Sequence, residues 1–169
     1  YDEYRFFQGM DGDPTPSGGA KSVTVAESTG AVWTDHNRLA GQVLEHRTLK
    51  NDQATVVARS RTEYFSTLTA GAGLHAAHFV APAKSESFTY TTAGVVEGSA
   101  ATVFTYDTYG NVVLASSTGT VAPSRTVERS VTANPTAWIV DRLAWEKTWA
   151  GTIPGTAGNE LRHTTYAYD

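Results

Sequence analysis

The chain has 169 residues, 40% of them hydrophobic and only 18% charged, a balance that suits a folded protein rather than a disordered one. Its net charge of −4 and lack of a basic block speak against a nucleic-acid partner or an anionic membrane surface. The absence of cysteine excludes disulfides, thiolate metal sites and cysteine nucleophiles.

Thr, Val and Tyr are abundant, and such residues fit pleated, half-buried surfaces. An aromatic-rich segment, Tyr1 to Gly9, opens the chain, and the Gly/Pro/Asp-rich run from Met10 to Gly19 predicts a surface loop. Alternation predicts short strands over Lys21 to Ala26 and Ala31 to Thr34, separated by a turn at Ser28 to Gly30. Asp35 to Ala40 reads as one helical turn with Asp35 as its N-cap. Gln42 to Leu49 and Ala54 to Phe65 form a predicted hairpin about the polar Lys50 to Gln53. Thr69 to Gly73 reads as a break, and Pro82 as the end of an ambiguous segment from His75 to Val80. Further strands are expected at Ser87 to Thr92, Ala101 to Asp107, Asn111 to Ser116, Arg125 to Thr132, Arg142 to Ala150 and Leu161 to Asp169. Asn134-Pro135 supplies a helix start, predicting a short helix over Thr136 to Asp141. No apolar run approaches the ~20 residues that a membrane helix needs.

Candidate chemistry is sparse. Asp11, Asp13, Thr15 and Ser17 alternate as in a calcium loop, but Ser22 stands where a bidentate Glu is required. His75 and His78 lack further ligands at metal-site spacing. Glu45, Glu63, Glu86, Asp141 and Glu146 are scattered along the sequence and define no acid–base pair. No metal, cofactor or catalytic constellation is therefore expected, and the chain reads as a non-enzyme. Trp138, Trp145 and Trp149 offer flat rings on which a sugar can stack, or anchors between neighbouring strands.

The informative segment is Phe104-Thr105-Tyr106-Asp107-Thr108-Tyr109-Gly110-Asn111. Phe104 and Tyr106 share one strand face, Asp107 accepts from turn N–H groups, Gly110 takes the left-handed conformation, and Asn111 starts the returning strand. Tyr166-Ala167-Tyr168-Asp169 is a second, truncated copy, and Tyr1-Asp2 reads as the remnant of a third. This pattern resembles the YD repeat of Rhs and YD-repeat proteins, which include bacterial toxin shells and teneurins. The blocks Tyr4 to Asp13, Asp35 to Leu49 and Thr136 to Asp141 resemble segments of actinobacterial YD-repeat proteins.

The resemblance implies an all-β fold of antiparallel hairpin repeats, with one or two short helices, forming part of an extended or spiralling shell. Residues 1–100 would be a β-rich repeat-associated segment and residues 101–169 the repeat hairpins, the last one truncated. Phe104, Tyr106, Asp107, Gly110, Asn111, Tyr166, Tyr168 and Asp169 would build the shell motif. Its partners would be neighbouring repeats of a longer chain and an enclosed C-terminal toxin domain, in a secreted or cell-surface protein. The Asp-Pro self-cleavage of the family is not carried over, because Asp13-Pro14 sits at the wrong end. The alternative is a cell-surface module that recognises carbohydrate or a partner protein.

Overall fold

The computed structural model describes residues 1–72, 76–137 and 139–168. The protein is all-β: the described residues contain eleven strands, two single turns of 3-10 helix and no α-helix. It divides into two compact units, Tyr1–Glu97 and Gly98–Asp169.

In the first unit, β1 (Asp2–Phe6), β4 (Val43–Leu49), β5 (Val56–Ala70) and β6 (Ala77–Tyr90) lie side by side in that order, each antiparallel to the next. The long connection from β1 to β4 carries a two-stranded ribbon, β2 (Thr24–Ala26) with β3 (Val32–Thr34), and the 3-10 turn Asn37–Leu39. That connection supplies the apolar core, because Phe7 and Leu39 fold back onto Leu44 of β4. Val25, Trp33, Tyr64 and Val80 pack around these three buried side chains. Burying Leu44 and Phe7 contributes on the order of 1.5–3 kcal/mol each, so this small cluster needs reinforcement from polar contacts.

The second unit is a meander. The chain passes along β7 (Val96–Tyr106) into β8 (Val112–Gly119), β9 (Arg125–Asn134), β10 (Ile139–Ala150) and β11 (Glu160–Thr165), each strand pairing antiparallel with the one before it from β8 onward. Its most buried side chains are Trp149 and Thr126. The Thr126 hydroxyl donates to the Gly151 carbonyl at 2.9 Å and lies 2.7 Å from the Ser116 hydroxyl. Polar linkage thus stands here where an apolar contact would be usual.

Three local expectations are corrected. Pro82 does not end its segment; β6 runs through it, and the register shift beside its partner Tyr64 takes up the missing N–H donor. Asp35 does not cap the turn that follows it, whose N-cap is His36 without a side-chain bond. The helix expected over Thr136 to Asp141 is one 3-10 turn, Pro135–Ala137, after which β10 begins at Ile139. Asn134 does cap that turn, accepting from the Ala137 N–H at 3.2 Å. The β-branched Ile139-Val140 pair and the strand partners on β9 prevail over the cap.

Candidate functional site

The Asp107 hairpin has two backbone hydrogen bonds, from Asp107 N–H to the Asn111 carbonyl at 3.0 Å and from Gly110 N–H to the Asp107 carbonyl at 3.2 Å. Gly110 has φ +88°, the left-handed conformation that closes this loop. The Asp107 carboxylate accepts from Tyr109 N–H at 2.8 Å, and from the backbone and side-chain N–H groups of Asn111 at 2.9 Å each. Burial works to raise the Asp107 carboxyl, and these bonds outweigh it, holding the group below the usual aspartate value. The second Asn111 amide hydrogen goes to the Val140 carbonyl at 2.7 Å, tying the turn to β10. Phe104 and Tyr106 are half-buried on one face of β7, between the exposed Val103 and Thr105. Burial raises the Tyr106 phenol.

Among the described residues the same turn geometry occurs at three other places. Thr15, Glu27 and Thr91 each donate their N–H to the carbonyl four residues on, at 2.7–2.8 Å, and accept from the N–H three residues on, at 2.9–3.0 Å. The glycines at the fourth position, Gly18, Gly30 and Gly94, all have positive φ. Thr15 and Thr91 copy one further bond of Asp107, since their hydroxyls accept from the N–H groups of Gly19 and Val95 at 3.0 and 3.2 Å. Only the Asp107 member of this set is recognised as the motif from sequence. The signal for the Thr15 and Thr91 turns is a short oxygen-bearing residue three before a glycine; at Glu27 the glycine alone marks the turn.

Tyr166 and Tyr168 follow β11 and continue along β10. Tyr166 N–H reaches the Ala144 carbonyl at 2.9 Å, and the Tyr168 hydroxyl donates to the Leu143 carbonyl at 2.9 Å beneath the Arg142 guanidinium. Asp169 lies outside the described residues, as do Trp138 and His75. Trp149 is buried and donates its indole N–H to Glu128 at 3.1 Å. Trp145 is half-buried against His163, and Lys147 lies over the rings of both tryptophans. The oxygens of the calcium-like run serve the loop itself: Asp11 accepts from Val23 N–H, Asp13 faces Lys21, and the Thr15 and Ser17 hydroxyls meet. No cluster of metal-ligating residues forms among the described residues.

Three of the carboxylates that look scattered in sequence come together in the first unit. Glu45 of β4 and Glu27, both buried, are bridged by Arg59 of β5. Arg61, two residues along the same face, joins Glu27 to Glu63 and to Glu86 of β6, where Lys84 adds a further cation. Trp33 donates its indole N–H to Glu27 at 2.7 Å. Glu45 also accepts from the Ser28 N–H and hydroxyl at 2.8 and 2.6 Å. Burial acts to raise the Glu45 carboxyl, but these bonds and Arg59 hold it below the usual glutamate value. Every carboxylate here has a guanidinium, so the network locks the β2–β3 ribbon onto the face of β4 and β5. Glu146 is paired separately with Arg129 at 2.8 Å, and Asp141 is exposed.

Among the described residues no helix is long and apolar enough to cross a membrane. Compared with known proteins, the chain matches no family model and no curated protein sequence.

Proposed function

We propose that the chain is a structural segment of a YD/Rhs-repeat shell, secreted or at the cell surface, that encloses or presents a toxin or other cargo polypeptide. Its role is to form wall, without catalysis. The observation that carries this reading is the Asp107 turn. Its aspartate, glycine and asparagine each hold a separate bond of one hairpin, and Asn111 reaches onward to β10. A residue set that closes one hairpin and attaches it to a strand beyond is what a wall built from successive hairpins needs. The sheet faces agree, since the strands of the second unit bury few apolar side chains and expose Val103, Ile139 and Leu161. A wall with water or another polypeptide on each side has no requirement for one continuous apolar face.

Electron cryomicroscopy of the longest natural polypeptide that carries this chain tests the reading. The expected result is a sheet wall around separate protein density, with the Tyr106-Asp107 hairpin in that wall. A solid particle with no enclosed polypeptide would overturn it.

A further inference from the structure

Within the first unit, a cavity of about 410 Å³ opens between three turns: Ser28-Thr29, Ala54-Thr55 and Thr92 to Gly94. Arg47, Arg59, Tyr90 and Val56 complete its wall. The volume falls within the ~300–1,000 Å³ typical of small-molecule sites.

The polar groups of this wall have a definite sense. Two guanidiniums line the cavity, and no carboxylate is among the lining residues. Arg59, with only 9% of its side chain exposed, is fixed by Glu27 and Glu45. Among the described residues Arg47 is paired with one carboxylate, Glu3. A guanidinium offers five N–H donors, so this side of the cavity is rich in donors. The hydroxyls are set the other way. Ser28 donates to Glu45, Thr29 to Glu27 and Thr55 to Asp52, at 2.6, 3.1 and 2.6 Å. With those protons committed, the three oxygens keep only lone pairs, so toward a ligand they can act as acceptors alone.

We propose that this cavity binds a carboxylated sugar of the hexuronate class. Its carboxylate meets the arginine side, where charge-assisted bonds are strongest, and its hydroxyl groups donate to Ser28, Thr29 and Thr55. Tyr90 supplies an aromatic surface for the ring. A neutral sugar lacks the first half of this match and a simple carboxylate lacks the second. The site is independent of the shell reading, and neither stands or falls with the other.

Titration calorimetry of the intact chain with methyl glucuronide, methyl glucoside and acetate tests the assignment. Methyl glucuronide is expected to bind at least about tenfold more tightly than either of the others. Arg47→Gln should weaken it by about tenfold or more. Ala93→Trp, on an exposed turn at the cavity wall, should abolish binding while leaving the melting temperature unchanged. Equal affinity for glucuronide and glucoside, or for glucuronide and acetate, would overturn the proposal. So would an Ala93→Trp protein that is folded and binds glucuronide normally, or a wild-type chain that binds none at millimolar concentration.

Discussion

Asp35 is almost wholly buried, and its two oxygens accept from the backbone N–H groups of Gln8, Gly9 and Met10, at 2.8, 2.9 and 3.3 Å. One side chain thus closes the loop that follows β1 and brings Phe7 over Leu44. Gly9 sits at the centre of this closure with φ +74°, and a Cβ built there would lie 2.6 Å from the Cβ of Ala40. The adjacent Phe7-Gln8-Gly9-Met10 and Leu39-Ala40-Gly41 runs are therefore two halves of one contact. Their sequence shows two glycines near turns; the contact between them depends on a fold that sequence patterns do not reveal. Gly9→Ala should destabilise the chain by about 2 kcal/mol or more, combining left-handed strain with overpacking. Urea denaturation monitored by circular dichroism would detect it as a lowered midpoint at constant slope. Gly110→Ala, at φ +88°, carries the conformational cost of the left-handed turn, roughly 1 kcal/mol. A Gly9→Ala protein as stable as wild type would show that the loop is not held by Asp35 in this way.

Among the elements, hairpin turns were the most legible part of the sequence, because their chemistry is local. Asp107, Gly110 and Asn111 announce their roles within five residues, and the Lys50 to Gln53 turn between β4 and β5 is equally plain. Strand lengths were less legible. β5 and β6 each run well beyond the alternation that suggests them, since strand pairing between them carries small and polar residues such as Thr67 opposite Phe79. Pro82 shows the same effect: its local preference to end a strand gives way to a register shift that a neighbouring strand provides. The Arg59–Glu45–Glu27 network was hidden for a related reason. Arg59, Arg61 and Glu63 lie at alternate positions, so their shared face of β5 follows from period two, but which carboxylates meet them depends on register. The recurring turn gives a prediction at this scale. Thr91 makes one side-chain bond to its turn, whereas Asp107 also accepts from the residue two on. Thr91→Asp should add that bond and raise stability by about 0.5 kcal/mol. Thermal melting would show an upward shift; a downward one would mean that the Thr91 and Asp107 turns are not equivalent.

Across the whole molecule, the two units rely on different polar devices, and acid should separate them. The first unit holds its ribbon through the buried Glu27 and Glu45, and both Glu45 and the half-buried Glu86 lie below their ordinary value of 4.5. For Glu86, burial acts upward and is outweighed by Lys84 and Arg61. A carboxyl depressed by folding contributes stability that is fully present above its unfolded value, near pH 4.5, and is lost as pH falls through the lower folded value. Among its described residues the second unit has one such group, Asp107, in a turn at the end of a hairpin. Its anchors, the buried Thr126 and the half-buried Ser116, do not titrate in this range. Two indole N–H groups report on the two units separately, since Trp33 donates to Glu27 and Trp149 to Glu128. As pH falls below about 4.5, protonation of Glu45 releases Arg59 and Ser28, and the ribbon that carries Trp33 loses its attachment to β4. In heteronuclear NMR spectra of the intact chain, the Trp33 indole signal should therefore leave its native position at a higher pH than that of Trp149. Glu45→Gln should shift the Trp33 transition and leave the Trp149 transition in place. Simultaneous loss of both signals, unaffected by Glu45→Gln, would show that the network does not set the acid stability of the first unit.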